Sequence, residues 1–238
     1  MAIFVLVHGS WHGGWCWQKV TPLVQAAGHR VYTPTLSGLG ERSHLLSCGV
    51  DLTTHITDVV NLLYYEDFSE VILVGHSYAG MVITGVAAKI PERLARLVYL
   101  DAYVPAEGQS EFDLWPPEDQ AQARADIAAG RGLRQAMSPG TLGITDTATA
   151  NWVAARLTPH PLTTYDQPTP LGNAQSAALP RVYIHCTVGP LAPRFARFAA
   201  KARAENWEVH EIATGHDVML TAPEKLAAIL LQFTSERG

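Results

Sequence analysis

Hydrophobic and polar positions along the 238-residue chain follow two periods in turn. Short apolar runs rich in β-branched residues have the pattern of strands buried on both faces. They are separated by segments with apolar residues every three or four positions, the spacing of amphipathic helices. Strands are predicted at 2–7 (AIFVLV), 30–34 (RVYTP), 70–75 (EVILVG), in RLVYLDAYVP up to Asp101, at 181–187 (RVYIHCT) and at 207–212 (WEVHEI). Helices are predicted at 14–28 with Gly28 as the stop, at 51–67 behind an Asp51 N-cap, at 79–90 up to Pro91, at 194–205 and at 222–233. TAPE (221–224) has the form of a capping box with proline in the first turn. Such alternation predicts an α/β fold, a mostly parallel sheet flanked by helices.

From 104 to 179 the alternation breaks. Pro, Gly, Ala and amide residues dominate there, with short helical pieces around 118–129 and 148–157. This segment is read as a cap inserted into a core made of 1–103 and 180–238. No internal repeat and no linker between independent domains is visible.

Composition narrows the function classes. Hydrophobic residues make up 47% and charged residues 16% of the chain, which is globular rather than disordered. The net charge is −5 and no Lys/Arg run stands out, so neither nucleic acid nor an anionic membrane is an expected partner. Cys16, Cys48 and Cys186 form no CxxC pair and leave one cysteine over, which suits a reducing compartment and argues against a disulfide framework or a zinc site. The apolar start MAIFVLVHG lacks a basic leader, and no stretch approaches the ~18 apolar residues of a membrane span. The reading is a soluble, cytoplasmic protein.

The sharpest chemical signal is VILVGHSYAG (71–80), a buried strand that runs through a turn of small residues into a helix. That is the context of a nucleophile elbow, in which the turn lifts Ser77 above the C-terminal edge of the sheet. The bland alternative is a βα turn that happens to carry a serine. Ala79 departs from the G-x-S-x-G pattern. LVHGSWHGGW (6–15) follows the first strand and can aim the Ser10 N–H at the same place as that of Tyr78, which would make an oxyanion hole. Taken alone it is a glycine-rich connection, with His8 structural and His12 an inconsequential loop residue. EIATGHDVML (211–220) places His216 in a loop after the last strand, where a general base belongs. TLSGLGERSH (35–44) lacks a helix-opening G-x-G-x-x-G, so nucleotide binding is not expected. His185 and Cys186 are neighbours on one strand and point to opposite faces, which rules against a joint metal site.

FVLVHGSWHGGWCWQKVTPLVQAAGH, VILVGHSYAGMV and RVYIHCT with GHDVML resemble the α/β-hydrolase branch of plant methyl-ester esterases and hydroxynitrile lyases. They are still more similar to bacterial esterases of that branch, including hydrolases of carbendazim-like methyl carbamates. The resemblance spans nearly the whole chain and is weakest in the cap. It implies an α/β-hydrolase fold with Ser77 as nucleophile, His216 as base and the Ser10 and Tyr78 N–H groups as oxyanion donors, with no cofactor and no metal. The lyases carry a lysine directly after the catalytic histidine, where this chain has Asp217, so cyanohydrin cleavage is disfavoured.

The family's usual acid lies after the penultimate strand, but that loop reads CTVGPLAPRF, and no Asp or Glu occurs from Gln167 to Ala204. In the fold that this resemblance implies, the strand ending at Asp101 lies beside the nucleophile strand. Neighbouring strands are about 4.8 Å apart, so its carboxyl can approach a histidine loop hanging over the serine. Competing readings are that Asp101 only holds loop amides, that Glu107 or Asp113 supplies the acid, or that a Ser–His dyad works without one. Asp217, adjacent to the histidine, is poorly placed to reach its ring. The expected activity is a serine esterase acting on a small apolar or aromatic carboxylic ester or methyl carbamate. Trp11, Trp115 and Trp152 are the candidate substrate contacts, with Met137 and Leu142 beside them. A lyase and a non-catalytic ligand receptor are the rivals, and a homodimer is compatible with this reading.

Overall fold

A computed structural model describes residues 1–47 and 49–234. Its elements are β1 (Ile3–Val7), α1 (Thr21–Ala26), β2 (Arg30–Tyr32), α2 (Leu52–Tyr65), β3 (Val71–His76), α3 (Ala79–Lys89) and β4 (Leu94–Leu100). Next come α4 (Pro117–Ala128), β5 (Leu133–Arg134), α5 (Thr147–Ala154), β6 (His160–Pro161), α6 (Thr163–Asp166) and α7 (Ala174–Ala177). The chain then forms β7 (Arg181–Cys186), α8 (Ala192–Ala204), β8 (Glu208–Ile212), α9 (Val218–Thr221) and α10 (Pro223–Gln232).

Six strands pair in parallel in the order β2-β1-β3-β4-β7-β8. Registers of Leu6 with Val74, Val74 with Val98 and Val98 with Val182 put these four side chains in one row across the sheet. Because side chains alternate along a strand, this row faces Val24 of α1 and Leu226 and Leu230 of α10. The alternate residues Val5, Leu73, Leu97 and Tyr99 face Ile56 and Val59 of α2, Ile83 and Val86 of α3, and Phe198 of α8. Both faces are therefore covered, which is why the strands read as continuous apolar runs.

Several local expectations need correcting. The predicted helix 14–28 opens as a 3-10 turn over Gly14–Trp17 and becomes α-helical only at Thr21. Pro22 has no N–H and would clash with the preceding turn, so the α-helix starts around it. Gly28 does supply the left-handed conformation (φ 86°) that ends this segment. The strand predicted at 30–34 is only Arg30–Tyr32. TAPE is not a capping box. Thr221 closes α9 and turns its hydroxyl back to the Asp217 carbonyl (3.1 Å), while Ala222 takes the N-cap position of α10 without a side-chain bond. Between β4 and β7, β5 and β6 form a small antiparallel pair that the sequence pattern did not predict. Cys16 and Cys186 are buried free thiols, and Cys48 lies outside the described residues. Among the described residues no helix is long and apolar enough to cross a membrane.

Strand order reverses direction between β1 and β3, the place where open α/β sheets form a crevice at their carboxyl ends. The loops leaving β1, β3, β4 and β8 carry Ser10, Ser77, Asp101 and His216.

Candidate active site

Ser77 follows β3 directly and adopts φ 55°, a strained value for a residue with a side chain. The strain is held by hydrogen bonds on both sides. Its N–H donates to the Leu100 carbonyl (3.2 Å), and its carbonyl accepts from the N–H groups of Gly80 (3.1 Å) and Tyr103 (3.2 Å). Ala79 fits the position where the motif expects glycine. The close approach falls one residue later, because a Cβ on Gly80 would lie 2.0 Å from the Tyr103 carbonyl oxygen. The elbow thus packs α3 against the chain leaving β4.

The Tyr78 ring is anchored by its hydroxyl's 2.9 Å contact with His55 Nδ1 and by edge contacts with His160 and Tyr165. This leaves its N–H at the start of α3, where helix amides are free. Neither the Ser10 nor the Tyr78 N–H donates to a protein acceptor among the described residues.

Asp101, immediately after β4, is fully buried and also strained (φ 42°). Its Oδ2 lies 2.7 Å from His216 Nδ1, while Oδ1 accepts from His185 Nδ1 and from the Cys186 N–H, both at 3.0 Å. Burial pushes the carboxyl up, but the hydrogen bonds from His185 and His216 outweigh it and hold Asp101 below the usual carboxylate range. An ionised Asp101 accepts a hydrogen bond from Nδ1–H, which leaves Nε2 of His216 as the basic nitrogen. The His216 ring is stacked on Phe195 (4.7 Å, 12°) and tilted against His76 (4.5 Å). His76 Nε2 bonds the His216 carbonyl at 3.0 Å, and burial drives His76 down to about 3, so it stays neutral.

Ser77 and His216 line one cavity with Ser10, Trp11, Tyr165 and Phe195, closed on the other side by Glu111, Arg134, Met137 and Arg194. Trp11 is brought to it with a positive φ (67°), its Nε1–H donating to the Arg134 carbonyl at 3.2 Å. Trp115 stands behind the wall, under the Arg134 guanidinium (4.1 Å), and donates to Glu111 Oε1 (3.2 Å). Trp152 is not brought there. It packs edge-on against Trp15 (5.2 Å) and under Arg156 (4.2 Å). Leu142 holds the histidine loop from outside, accepting the Asp217 N–H at 3.0 Å. Glu107 and Asp113 are likewise absent from the cavity lining, and the Asp113 carboxylate bonds Ser110.

His12, read as inconsequential, is a buried structural link. Its Nδ1 lies 2.7 Å from the Ser10 carbonyl and its Nε2 lies 3.1 Å from Asp217 Oδ2. Two acceptors are matched by two ring N–H groups, which favours the imidazolium form of His12. Burial lowers its pKa, but the Asp217 charge outweighs that and holds it above the ordinary value; Asp217 is correspondingly held below its own. The raised histidine contributes stability in full below about pH 6.5 and loses it as pH rises through its folded value; the lowered aspartate contributes above about pH 3.9 and loses it as pH falls. Asp217→Asn should therefore cost about 1.5–3 kcal/mol in urea unfolding near pH 6, since it removes a charge-assisted buried hydrogen bond and the charge that holds the His12 proton. The deficit should narrow as the pH is raised past the titration of His12.

His76, His216 and Asp217 place nitrogen and oxygen atoms within 4.8 Å of one another, the spacing of a metal site. Each residue commits one of its two donor atoms, Nε2 of His76 to a carbonyl, Nδ1 of His216 to Asp101 and Oδ2 of Asp217 to His12, while Nδ1 of His76 and Oδ1 of Asp217 are buried without a hydrogen-bond partner among the described residues.

Sequence reasoning missed Glu111, Arg134, Tyr165, Arg194, Phe195 and the His185 bond to Asp101. Only Glu111 left a trace, as an acid beside apolar residues in SEFDLW; the rest come together only through the fold.

The chain is 44% identical over 237 residues to a carbendazim hydrolyzing esterase from Nocardioides sp. (strain SG-4G), covering 95% of this chain and 97% of that one. It is 38% identical over 113 residues to methylesterase 1 of Arabidopsis thaliana, a match that covers 43% of this chain and 40% of the other. An extracellular α/β-hydrolase from a Paenibacillus species superposes with a TM-score of 0.82 at 24% identity, covering 98% of both chains, which speaks to the fold alone. The profile of the alpha/beta hydrolase family matches residues 4–229. With that match and its full-length relative, the chain belongs to the α/β-hydrolase family.

Proposed function

We propose that this protein is a serine esterase, a carboxylic-ester hydrolase that works through an acyl-enzyme intermediate on Ser77. The observation that carries this reading is the 2.7 Å contact between Asp101 Oδ2 and His216 Nδ1, with the His216 ring on the same cavity as the strained Ser77. His216 Nε2 takes the Ser77 proton as Oγ attacks the carbonyl carbon. Asp101 stabilises the imidazolium that forms, and the Ser10 and Tyr78 amides receive the charge on the carbonyl oxygen. The tetrahedral intermediate collapses, His216 protonates the departing alcohol, and water repeats the sequence to release the acid.

With a methyl carbamate the same steps pass through a carbamoyl-serine, and the full-length relative named for carbendazim hydrolysis supports including this class. The lyase alternative is weakened because Asp217 supplies no cation beside His216 and is itself paired with His12. In this reading 104–179 is a cap on a core of 1–103 and 180–238. The cap closes the cavity from one side through Glu111, Arg134 and Met137. The open volume is only about 20 Å³, whereas ligand pockets run to roughly 300–1,000 Å³, so in this reading substrate entry requires lining side chains to shift. A homodimer is compatible with this reading, and the proposed compartment is the cytoplasm.

The test is a panel of p-nitrophenyl esters and aryl methyl carbamates followed by stopped flow and intact mass. A burst of p-nitrophenol and an acyl or carbamoyl adduct mapped to Ser77 are expected. Turnover with no adduct on Ser77, or no turnover of any member of the panel, would reject the reading.

A further inference from the structure

The cavity has a polar pole that the hydrolytic steps do not use. Glu111, on the chain leaving β4, is 3% exposed and lines the same cavity as Ser77 and His216. Its Oε1 accepts the Trp115 Nε1–H, but the buried Oε2 has no hydrogen-bond partner among the described residues. The cations that face it, Arg134 and Arg194, make no hydrogen bond to Oε2. The Arg134 guanidinium lies over Trp115 (4.1 Å) and reaches toward Trp11 (5.8 Å), and Arg194 Nη1 reaches the Tyr103 hydroxyl (3.5 Å). A buried acceptor without a donor is a standing cost to the fold, and a ligand removes that cost by bringing the donor. The rest of the lining includes Trp11, Tyr103, Tyr165 and Phe195, which suits a flat ring.

We propose that Glu111 Oε2 is a specificity point that accepts a hydrogen bond from the substrate, so that the preferred ester or carbamate carries a flat aromatic ring with its own N–H. This rests on the esterase reading and adds the class of substrate. Burial pushes Glu111 up to about 7, against the pull of Arg134, the Trp115 bond, Arg194 and Tyr103. Its acceptor strength therefore rises with pH across neutrality, as the carboxyl loses its proton and becomes purely an acceptor.

The experiment compares methyl indole-2-carboxylate with methyl 1-benzofuran-2-carboxylate, which differ by N–H against O in an otherwise similar ring. The measured quantity is the ratio of their kcat/KM values, in the wild type and in Glu111→Gln, from pH 6 to 8.5. The ratio cancels any pH effect on the chemical steps that the two esters share. The wild-type ratio is expected to exceed that of Glu111→Gln by about tenfold or more, as for a hydrogen bond to a charged group. It is also expected to rise with pH in the wild type and stay flat in the variant. Equal ratios in the two proteins, or a wild-type ratio flat with pH, would overturn the assignment, and the pH profile alone decides if the variant does not fold.

Dissociation constants for both esters, measured by calorimetry on Ser77→Ala, carry the same comparison without turnover. If neither ester is hydrolysed by the wild type, the esterase reading fails for aromatic esters while the binding ratio still judges Glu111. A tenfold preference for monomethyl over dimethyl terephthalate that vanishes in Arg134→Gln would assign the pole to a carboxylate and sink the proposal.

Discussion

Asp101→Asn is expected to lower kcat by about 10⁴ on any ester the protein hydrolyses, the size of effect seen when a serine-hydrolase triad loses its aspartate. The reason lies in the pairing at Oδ2. The carboxylate accepts the His216 Nδ1 proton at 2.7 Å and so leaves Nε2 free to act as base. An asparagine can keep the Cys186 N–H on its oxygen, as Oδ1 does now at 3.0 Å. It would then present an NH2 group to His216 Nδ1. That favours the tautomer with the proton on Nε2, which cannot take a proton from Ser77, and it removes the negative charge that stabilises the imidazolium. KM should change far less than kcat, because the carboxyl touches no substrate. Measuring kcat and KM on p-nitrophenyl acetate, with circular dichroism to confirm folding, checks this. A folded variant with an unchanged kcat would remove Asp101 from the mechanism.

Ser77→Ala is expected to cost more, about 10⁶ in kcat, as for removal of the nucleophile in comparable enzymes. Alanine carries the same Cβ at the same φ of 55°, so the elbow's strain and its hydrogen bonds to Leu100, Gly80 and Tyr103 are retained. The variant should fold with a melting temperature near that of the wild type and bind ester without the burst of leaving group. What remains comes from the oxyanion amides and from positioning, which persist when the hydroxyl is gone. Residual activity above about one part in a thousand would point to a nucleophile other than Ser77.

The two variants differ in what the sequence could say about their residues. Ser77 was legible in VILVGHSYAG because a strand–turn–helix of small residues is a local pattern with a local cause. The same holds for the strands, whose apolar runs reflect burial on both faces, and for α2, where the Asp51 carboxylate accepts the Thr54 N–H as its position suggested. Gly80 shows the limit: the word pattern asked about position 79, whereas the contact that excludes a side chain is made at position 80 with the chain leaving β4. The reading of 14–28 as one helix failed similarly, since periodicity does not register what Pro22 does to the turn before it.

By itself the sequence determined the parallel α/β architecture, the order of the core strands and main helices and the loops in which Ser10, Ser77, Asp101 and His216 lie, because hydrophobic period and turn chemistry act over neighbouring residues. It also exposed the missing acid after β7, and strand adjacency was enough to nominate Asp101. Only the tertiary structure decided which side chains meet across long separations: His185 on Asp101, His12 on Asp217 and the Ser10 carbonyl, and Glu111 and Arg134 on the cavity wall. Pairings of that kind depend on distances of a few ångströms between residues far apart in the chain. They are set by strand register and by the docking of the β5–β6 segment, which no local pattern encodes.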